Sequence, residues 1–142
     1  MKIIKRITKT LSANDTGETG ANQAGILIPK QPGILSYFPE LDGSVKNPRI
    51  SLYFFEEDGV TKWPFEFIYY NGKFFGGTRN EYRLTWMTQY LRAKNAKAGD
   101  RLEMLLDDDG RRHIHLKRLH EVAEDGGGVL KLRGGWKVID LG

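Results

Sequence analysis

RISLYFFEEDGVTKWPFEFIYYNG, residues 49–72, holds two runs of two-residue alternation on either side of one turn. Ile50, Leu52 and Phe54 recur in the first run, and Trp63, Phe65, Phe67 and Tyr69 in the second, with Glu56-Glu57-Asp58-Gly59 between them. Successive side chains of a strand point to opposite faces, so each run has one apolar face to bury, and the Asp-Gly turn folds the two into a hairpin. Asn71-Gly72 then predicts a second hairpin turn, of the type with positive φ at both central residues, and Phe74-Phe75 is expected to end its strand.

The same periodicities extend outward from this hairpin. On the N-terminal side, Ile3 to Ile7 reads as a strand, and Ser12 to Gly25 has no large apolar side chain. A short apolar run, Ile26 to Ile28, is stopped by Pro29, and Pro32 to Phe38 fits one or two helical turns with Ile34, Leu35 and Phe38 inward. On the C-terminal side, Gly76-Gly77 opens a polar segment, TRNEYR (78–83), before Leu84. Trp86, Tyr90 and Leu91 fit one face of a short helix running toward Asn95, and Gly99-Asp100 is a turn. Leu102, Met104 and Leu106, then Ile114 and Leu116, then Val129 to Leu132, and finally WKVIDL (136–141) read as strands, with a Gly126–Gly128 loop. About seven strands with two short helices predict a mainly β fold, a barrel, in a single domain spanning 1–142.

Composition narrows the function. The chain has 142 residues, 39% hydrophobic and 28% charged, close to the globular average. It has no cysteine, which excludes disulfide scaffolds, thiol catalysis and Cys-based zinc sites. Twenty-two Lys and Arg against 18 Asp and Glu give +4. That mild excess supports a basic face only if the charges segregate, and they do: Lys2, Lys5, Arg6 and Lys9 have no acid among them, while Asp107, Asp108 and Asp109 gather in one turn. MKIIKRITKT lacks a secretory h-region and no 18-residue apolar run occurs, so a cytoplasmic protein without membrane contact is expected.

Catalytic signatures are weak. No Asp, Glu or Gln has a Lys two places later, so the acidic-x-Lys element of metal-dependent nucleases is missing. His115-Leu116-Lys117 resembles half of a phosphodiesterase HxK motif, but Val122 stands where the aspartate is expected and no second copy exists. His113, His115 and His120 offer a weak metal-ligand set. Gly17-x-x-Gly20 and Gly126–Gly128 precede no Lys-Ser/Thr pair, which excludes a P-loop.

Two polar segments, Lys9 to Gln23 and Thr78 to Arg83, each leave a strand and are dense in groups that recognise base edges. An Arg fork fits guanine O6 and N7, Asn or Gln fits adenine, and a carboxylate accepts from cytosine N4. Arg79, Asn80, Glu81 and Arg83 supply all three types. A solvated turn with Arg-Glu pairs, and side-chain turns made by Asn14, Asp15, Thr16 and Thr19, are the structural alternatives. Lys9 sits where a phosphate contact would be useful.

LSANDTGETGANQAGILIP (11–29) and IYYNGKFFGGTRNEYRLT (68–85) resemble, in order, two stretches of the N-terminal effector-binding domain of EcoRII-type restriction endonucleases, and the Gly99-Asp100 turn after a short helix is similar to plant B3 DNA-binding domains. The resemblance implies a B3-like pseudobarrel of about seven strands that grips double-stranded DNA through an N-arm, about 9–23, and a C-arm, about 77–95, in the major groove. It implies base reading by Arg79, Glu81, Arg83, Asn14, Asp15 and Asn22, and backbone contact or arm shaping by Lys9, Ser12, Thr16, Gln23, Thr78, Asn80 and Tyr82. Gly77 and Tyr82 stand where the relative has lysine and Asn22 where it has histidine, so phosphate contacts are expected to be fewer and one base contact altered. The implied role is the allosteric effector domain of a type IIE restriction endonuclease with a CCWGG-like site, and monomeric relatives of EcoRII fall within the implied range of parents. The chain itself is expected to be non-catalytic and monomeric, to need no cofactor or metal for binding, and to rely on a separate C-terminal nuclease domain, with Mg2+, for cleavage. The competing readings are a small nuclease or phosphodiesterase using His115 and Lys117, and a barrel that binds a protein or small ligand.

Overall fold

The computed structural model describes residues 2–17, 25–119 and 135–141. Among the described residues eight strands form one sheet: β1 (Ile3–Thr10), β2 (Ile26–Ile28), β3 (Arg49–Phe55), β4 (Lys62–Tyr70), β5 (Glu81–Thr85), β6 (Arg101–Asp107), β7 (Arg112–Lys117) and β8 (Trp136–Val138). Two short helices, α1 (Pro32–Leu35) and α2 (Thr88–Ala93), join them. Pro32 starts α1, where its fixed φ fits and its missing N–H costs nothing.

The strand order is β2-β5-β4-β3-β7-β6-β1-β8, antiparallel throughout except for the parallel β3–β7 pair. The sheet curls into a half-barrel, and its two edges are linked by Trp136 of β8, whose Nε1 donates to the carbonyl of Leu27 in β2 at 3.0 Å. The expected mainly β architecture is therefore present; Ile26–Ile28 forms a short edge strand, and Glu81–Thr85, expected to be part of a polar segment, is a strand as well.

The alternation of residues 49–70 holds except at Ile50, which is exposed near the start of β3. Leu52 and Phe54 of β3 and Phe65 and Phe67 of β4 point into the core, joined there by Ile7, Leu84, Tyr90, Leu102, Met104 and Ile114. A column of rings runs from α1 toward β5: Phe38 stacks on Phe67 at 4.6 Å, Phe67 on Tyr82 at 5.6 Å and Tyr82 on Tyr69 at 4.2 Å. The buried Tyr37 donates its hydroxyl to the Leu105 carbonyl at 2.9 Å, and burial holds that phenol well above its ordinary pKa.

Three local expectations fail. Asn71-Gly72 is not a hairpin turn: Asn71 has φ −110°, Gly72–Phe75 forms a 3-10 turn, and the left-handed residue is Gly76. Phe74 and Phe75 are thus exposed loop residues and do not end a strand. The Asn71 side chain explains the change. It is fully buried, donates to the carbonyls of Gly43 and Val45 at 3.2 and 2.8 Å, and accepts from the Asn47 N–H at 2.7 Å, so it ties the 43–47 loop to the end of β4. Trp86 is not on the inner face of a helix; it precedes α2 with φ 66° and is exposed, while Met87 fills the core. The Val129–Leu132 strand and the Gly126–Gly128 loop lie outside the described residues. Among the described residues no helix is long and apolar enough to cross a membrane.

Candidate nucleic-acid interface

Pairing of β4 with β5 sets Tyr70 opposite Glu81, Ile68 opposite Arg83 and Glu66 opposite Thr85, so these six share the outer face of the sheet. On that face Glu81 stands between two guanidinium groups. Arg79 donates through Nε and Nη2 to Glu81 Oε1 at 3.1 and 2.7 Å, and Arg83 Nη2 donates to Oε2 at 3.2 Å. Arg79 also lies over the Tyr70 ring, 3.7 Å from its centroid, and Arg83 Nη1 reaches the Gly25 carbonyl at 3.1 Å. Both forks are held in place before any ligand arrives. The sequence places these groups on a strand-to-loop exit; in the structure Glu81, Tyr82 and Arg83 belong to β5 itself, which fixes their direction more firmly than a loop does.

The hydrogen bonds from Arg79, and then those from Arg83 with the two positive charges, hold the Glu81 carboxyl below its ordinary value of 4.5 against the opposing effect of burial. A lowered folded-state value stabilises the protein fully above pH 4.5, and that contribution is lost as pH falls through the folded-state value. The melting-temperature difference between the wild type and Glu81→Gln is therefore expected to be constant near neutrality and to shrink on acidification below about pH 4.5. A gap independent of pH would show that the triad is not an ionic unit.

The connection leading to β5 is closed by short bonds. Gly77 donates to the Gly72 carbonyl at 2.7 Å and Lys73 to the Arg79 carbonyl at 2.8 Å. A Cβ at position 77 would sit 3.1 Å from the Gly72 oxygen, so a side chain here, where the relative has lysine, needs the turn to give by a few tenths of an ångström. Asn80 accepts from the Tyr69 hydroxyl at 2.6 Å, and Tyr82 is held in the ring column, so both shape this connection from its inner side; Thr78 is exposed.

The other polar segment begins differently from the expectation. Lys9 is 6% exposed, and its Nζ meets Asp15 Oδ2 at 2.7 Å. The same Oδ2 accepts from the Ser12 N–H at 2.9 Å, while Ser12 Oγ accepts from the Asp15 N–H at 3.2 Å, a reciprocal capping box around the turn at 12–17. Thr16 Oγ1 bonds back to the Ala13 carbonyl at 3.2 Å, and Asn14 is exposed at the tip of this turn. In this structure Lys9 is turned inward and the Asp15 carboxylate is used within the protein, an arrangement that fits arm shaping better than the phosphate contact expected of Lys9 and the base reading expected of Asp15. Asn22 and Gln23 lie outside the described residues. The segment returns at Gly25, whose φ is 85° and where a Cβ would lie 2.5 Å from the Leu84 carbonyl oxygen, so only glycine lets the chain pass this close to β5.

Between the two segments lies an open cleft of about 400 Å³, lined by Asp15, Arg49, Glu66, Tyr70, Thr85 and Trp86 among others. Arg49 bonds Glu66 at 3.3 Å across its floor while half of its own side chain remains exposed. Arg49, Tyr70 and Trp86 were not singled out for this face by sequence reading; the signal available was the cross-strand register, which a single chain does not reveal.

The residues of the competing enzymatic reading are engaged in ion pairs on one face of β7. Lys117 pairs with Glu103 at 3.2 Å and His115 approaches Glu57 at 3.7 Å. His113 bonds Asp107 at 2.8 Å, which ties β7 to the end of β6, and His120 is outside the described residues. Asp107 also accepts from the Asp109 and Arg111 N–H groups at 2.9 Å each, which commits it to building its turn.

Known proteins resemble this chain in sequence and in fold. Residues 2–106 match the family described as restriction endonuclease EcoRII, N-terminal. The type II restriction enzyme EcoRII of Escherichia coli is 36% identical over 108 residues, covering 72% of this chain and 26% of that enzyme, so the chain spans about a quarter of its relative's length. Among solved structures, the DNA complex of Arabidopsis FUS3 matches with a TM-score of 0.61 at 19% identity, over 78% of this chain and 94% of that one. The B3 domain of the UbaLAI restriction endonuclease with cognate DNA matches with a TM-score of 0.58 at 21% identity, over 96% and 87% of the two chains. With the half-barrel shared by both structures and the sequence match running from β1 through most of β6, this chain belongs to the EcoRII N-terminal domain family, with a B3-like fold.

Proposed function

We propose that this chain binds double-stranded DNA sequence-specifically, as the effector-binding domain of a type IIE restriction endonuclease, with an N-arm over 9–23 and a C-arm over 77–95 in the major groove. The observation that carries the reading is the Arg79–Glu81–Arg83 triad on the outer face of β5: two forks matched to guanine and one carboxylate matched to a cytosine amino group, at fixed spacing. The DNA complexes of the structurally similar FUS3 and UbaLAI domains support it. The G and C readers suit a CCWGG-like site. In this reading Lys9, Asp15, Ser12 and Thr16 shape the N-arm, Asn14 and Asn22 are its base readers, Gln23 and Thr78 serve backbone contact, and Asn80 and Tyr82 shape the C-arm. The domain acts as a monomer in the cytoplasm, needs no cofactor to bind, and passes the binding signal to a nuclease domain that uses Mg2+.

A mobility-shift titration with a CCWGG duplex and a scrambled duplex, with and without Mg2+, tests this. We expect selective retention of the CCWGG duplex in both conditions and no cleavage. Product formation by the isolated chain would favour the nuclease reading through His115 and Lys117, and equal failure to retain either duplex would leave a barrel with another ligand.

A further inference from the structure

We propose that Trp86 is a further DNA-contacting residue, an indole held out on the rim of the cleft to pack its apolar face on the sugars and base edges of a bound duplex. The inference rests on the DNA-binding reading above and adds to it a contact that carries no charge.

Three independent features of the residue converge. Its backbone is in the left-handed region, φ 66°. The other non-glycine residues there among those described are Asn47 and Asn95, both at φ 51°, and asparagine tolerates that region through its short polar side chain. A bulky aromatic does not, and strain of this kind persists where a site needs it. The second feature is exposure: Trp86 is 57% exposed between residues that are not, Leu84 at 0% and Met87 at 3%. The largest apolar side chain of this stretch is the one left in water. The third is position. Trp86 follows Thr85, the last residue of the β5 face that carries Glu81 and Arg83, and it lines the same cleft as Asp15, Arg49 and Tyr70. Glu81 and Trp86 are five steps apart along extended chain, roughly 16 Å at the rise of a strand. A short duplex lying along β5 and touching the triad therefore passes over the indole.

The chemistry complements the triad. Guanidinium and carboxylate groups read donors and acceptors, whereas a flat apolar face gains by removing water from deoxyribose C–H groups and thymine methyls. Such a contact releases no counterion, so its loss lowers affinity without altering the salt dependence, unlike the loss of a phosphate-binding cation.

Trp86→Gly and Trp86→Phe test the proposal together. Glycine removes the indole and accepts the left-handed backbone; phenylalanine keeps an aromatic face. With cognate duplex titrated by fluorescence anisotropy at several salt concentrations, Trp86→Gly is expected to bind about ten-fold more weakly with an unchanged log-affinity versus log-salt slope, and Trp86→Phe within about three-fold of wild type. Thermal melting without DNA is expected to place Trp86→Gly at or above the wild-type transition, because strain is relieved and little packing is lost. Wild-type affinity in Trp86→Gly would overturn the proposal and leave the DNA-binding reading standing. A lower melting temperature in that variant would also overturn it, by showing that the indole packs the fold. Failure of the wild type to bind any duplex would instead overturn the DNA-binding reading, and this inference with it.

Discussion

Lys9→Ala is expected to destabilise the domain by about 3–5 kcal/mol and to leave the salt dependence of DNA binding nearly unchanged. The Lys9 and Asp15 side chains are 8% and 10% exposed and meet at 2.7 Å, so truncating the lysine leaves a buried carboxylate without its cation. The Ser12 N–H still reaches Asp15 at 2.9 Å, a neutral bond that does not replace the charge of the ammonium. Urea unfolding of the wild type, Lys9→Ala and the double variant Lys9→Met with Asp15→Leu separates the burial cost from the pair's net worth. The double variant is expected to regain most of the lost stability, since two apolar groups of similar size avoid the desolvation of both charges. A loss below about 1 kcal/mol in Lys9→Ala, or a salt slope reduced by about 1, would mean that the ammonium faces phosphate after all.

That pair marks the boundary of what the sequence makes legible. The 49–70 hairpin is readable because its signal is local: period-two alternation and an Asp-Gly turn need no knowledge of the rest of the chain. The same holds for β6, β7 and the last strand. Position-specific roles depend on partners distant in sequence. Asn71-Gly72 has the composition of a tight turn, yet the Asn71 amide is spent on the 43–47 loop, and that tertiary use overrides the local preference. Trp86 has a helical period with Tyr90 but lies outside the helix, because Met87 takes the buried position. Lys9 and Asp15, six residues apart, look like two surface groups until Ser12 folds the intervening turn back on itself. The SAND tetrapeptide did hold a readable clue, since Ser three residues before an acid is a capping-box spacing. Arg79, Glu81 and Arg83 stood out in the sequence by chemical type; their mutual bonding and the ring of Tyr70 beneath Arg79 needed the β4–β5 register.

Arg83→Ala is expected to weaken cognate binding by about 1–3 kcal/mol, up to roughly a hundred-fold, and to relax discrimination at one G·C pair, because a fork over guanine is removed. Arg79→Ala is expected to fall in the same range, and the geometry argues that its effect is the smaller. Arg79 is 48% exposed on the side chain and rests on Tyr70, whereas Arg83 is 22% exposed and joins Glu81 of β5 to the Gly25 carbonyl at the foot of the opposite segment. Removing Arg83 therefore loosens both sides of the cleft, while removing Arg79 loosens one. Glu81→Gln separates base reading from charge. Losing an anion near phosphate strengthens nonspecific attraction, and the amide accepts from a cytosine amino group through only one of its two ends, so cognate and scrambled affinities are expected to converge from opposite directions. The same substitution frees both guanidinium groups from a charged partner that holds them in register, which pushes cognate affinity down again. Anisotropy titrations on single-base-substituted duplexes decide the matter. Unchanged site preference in Arg83→Ala would remove the triad from base reading, and uniformly tighter binding of Glu81→Gln to every duplex would show that its carboxylate serves only to position the two arginines.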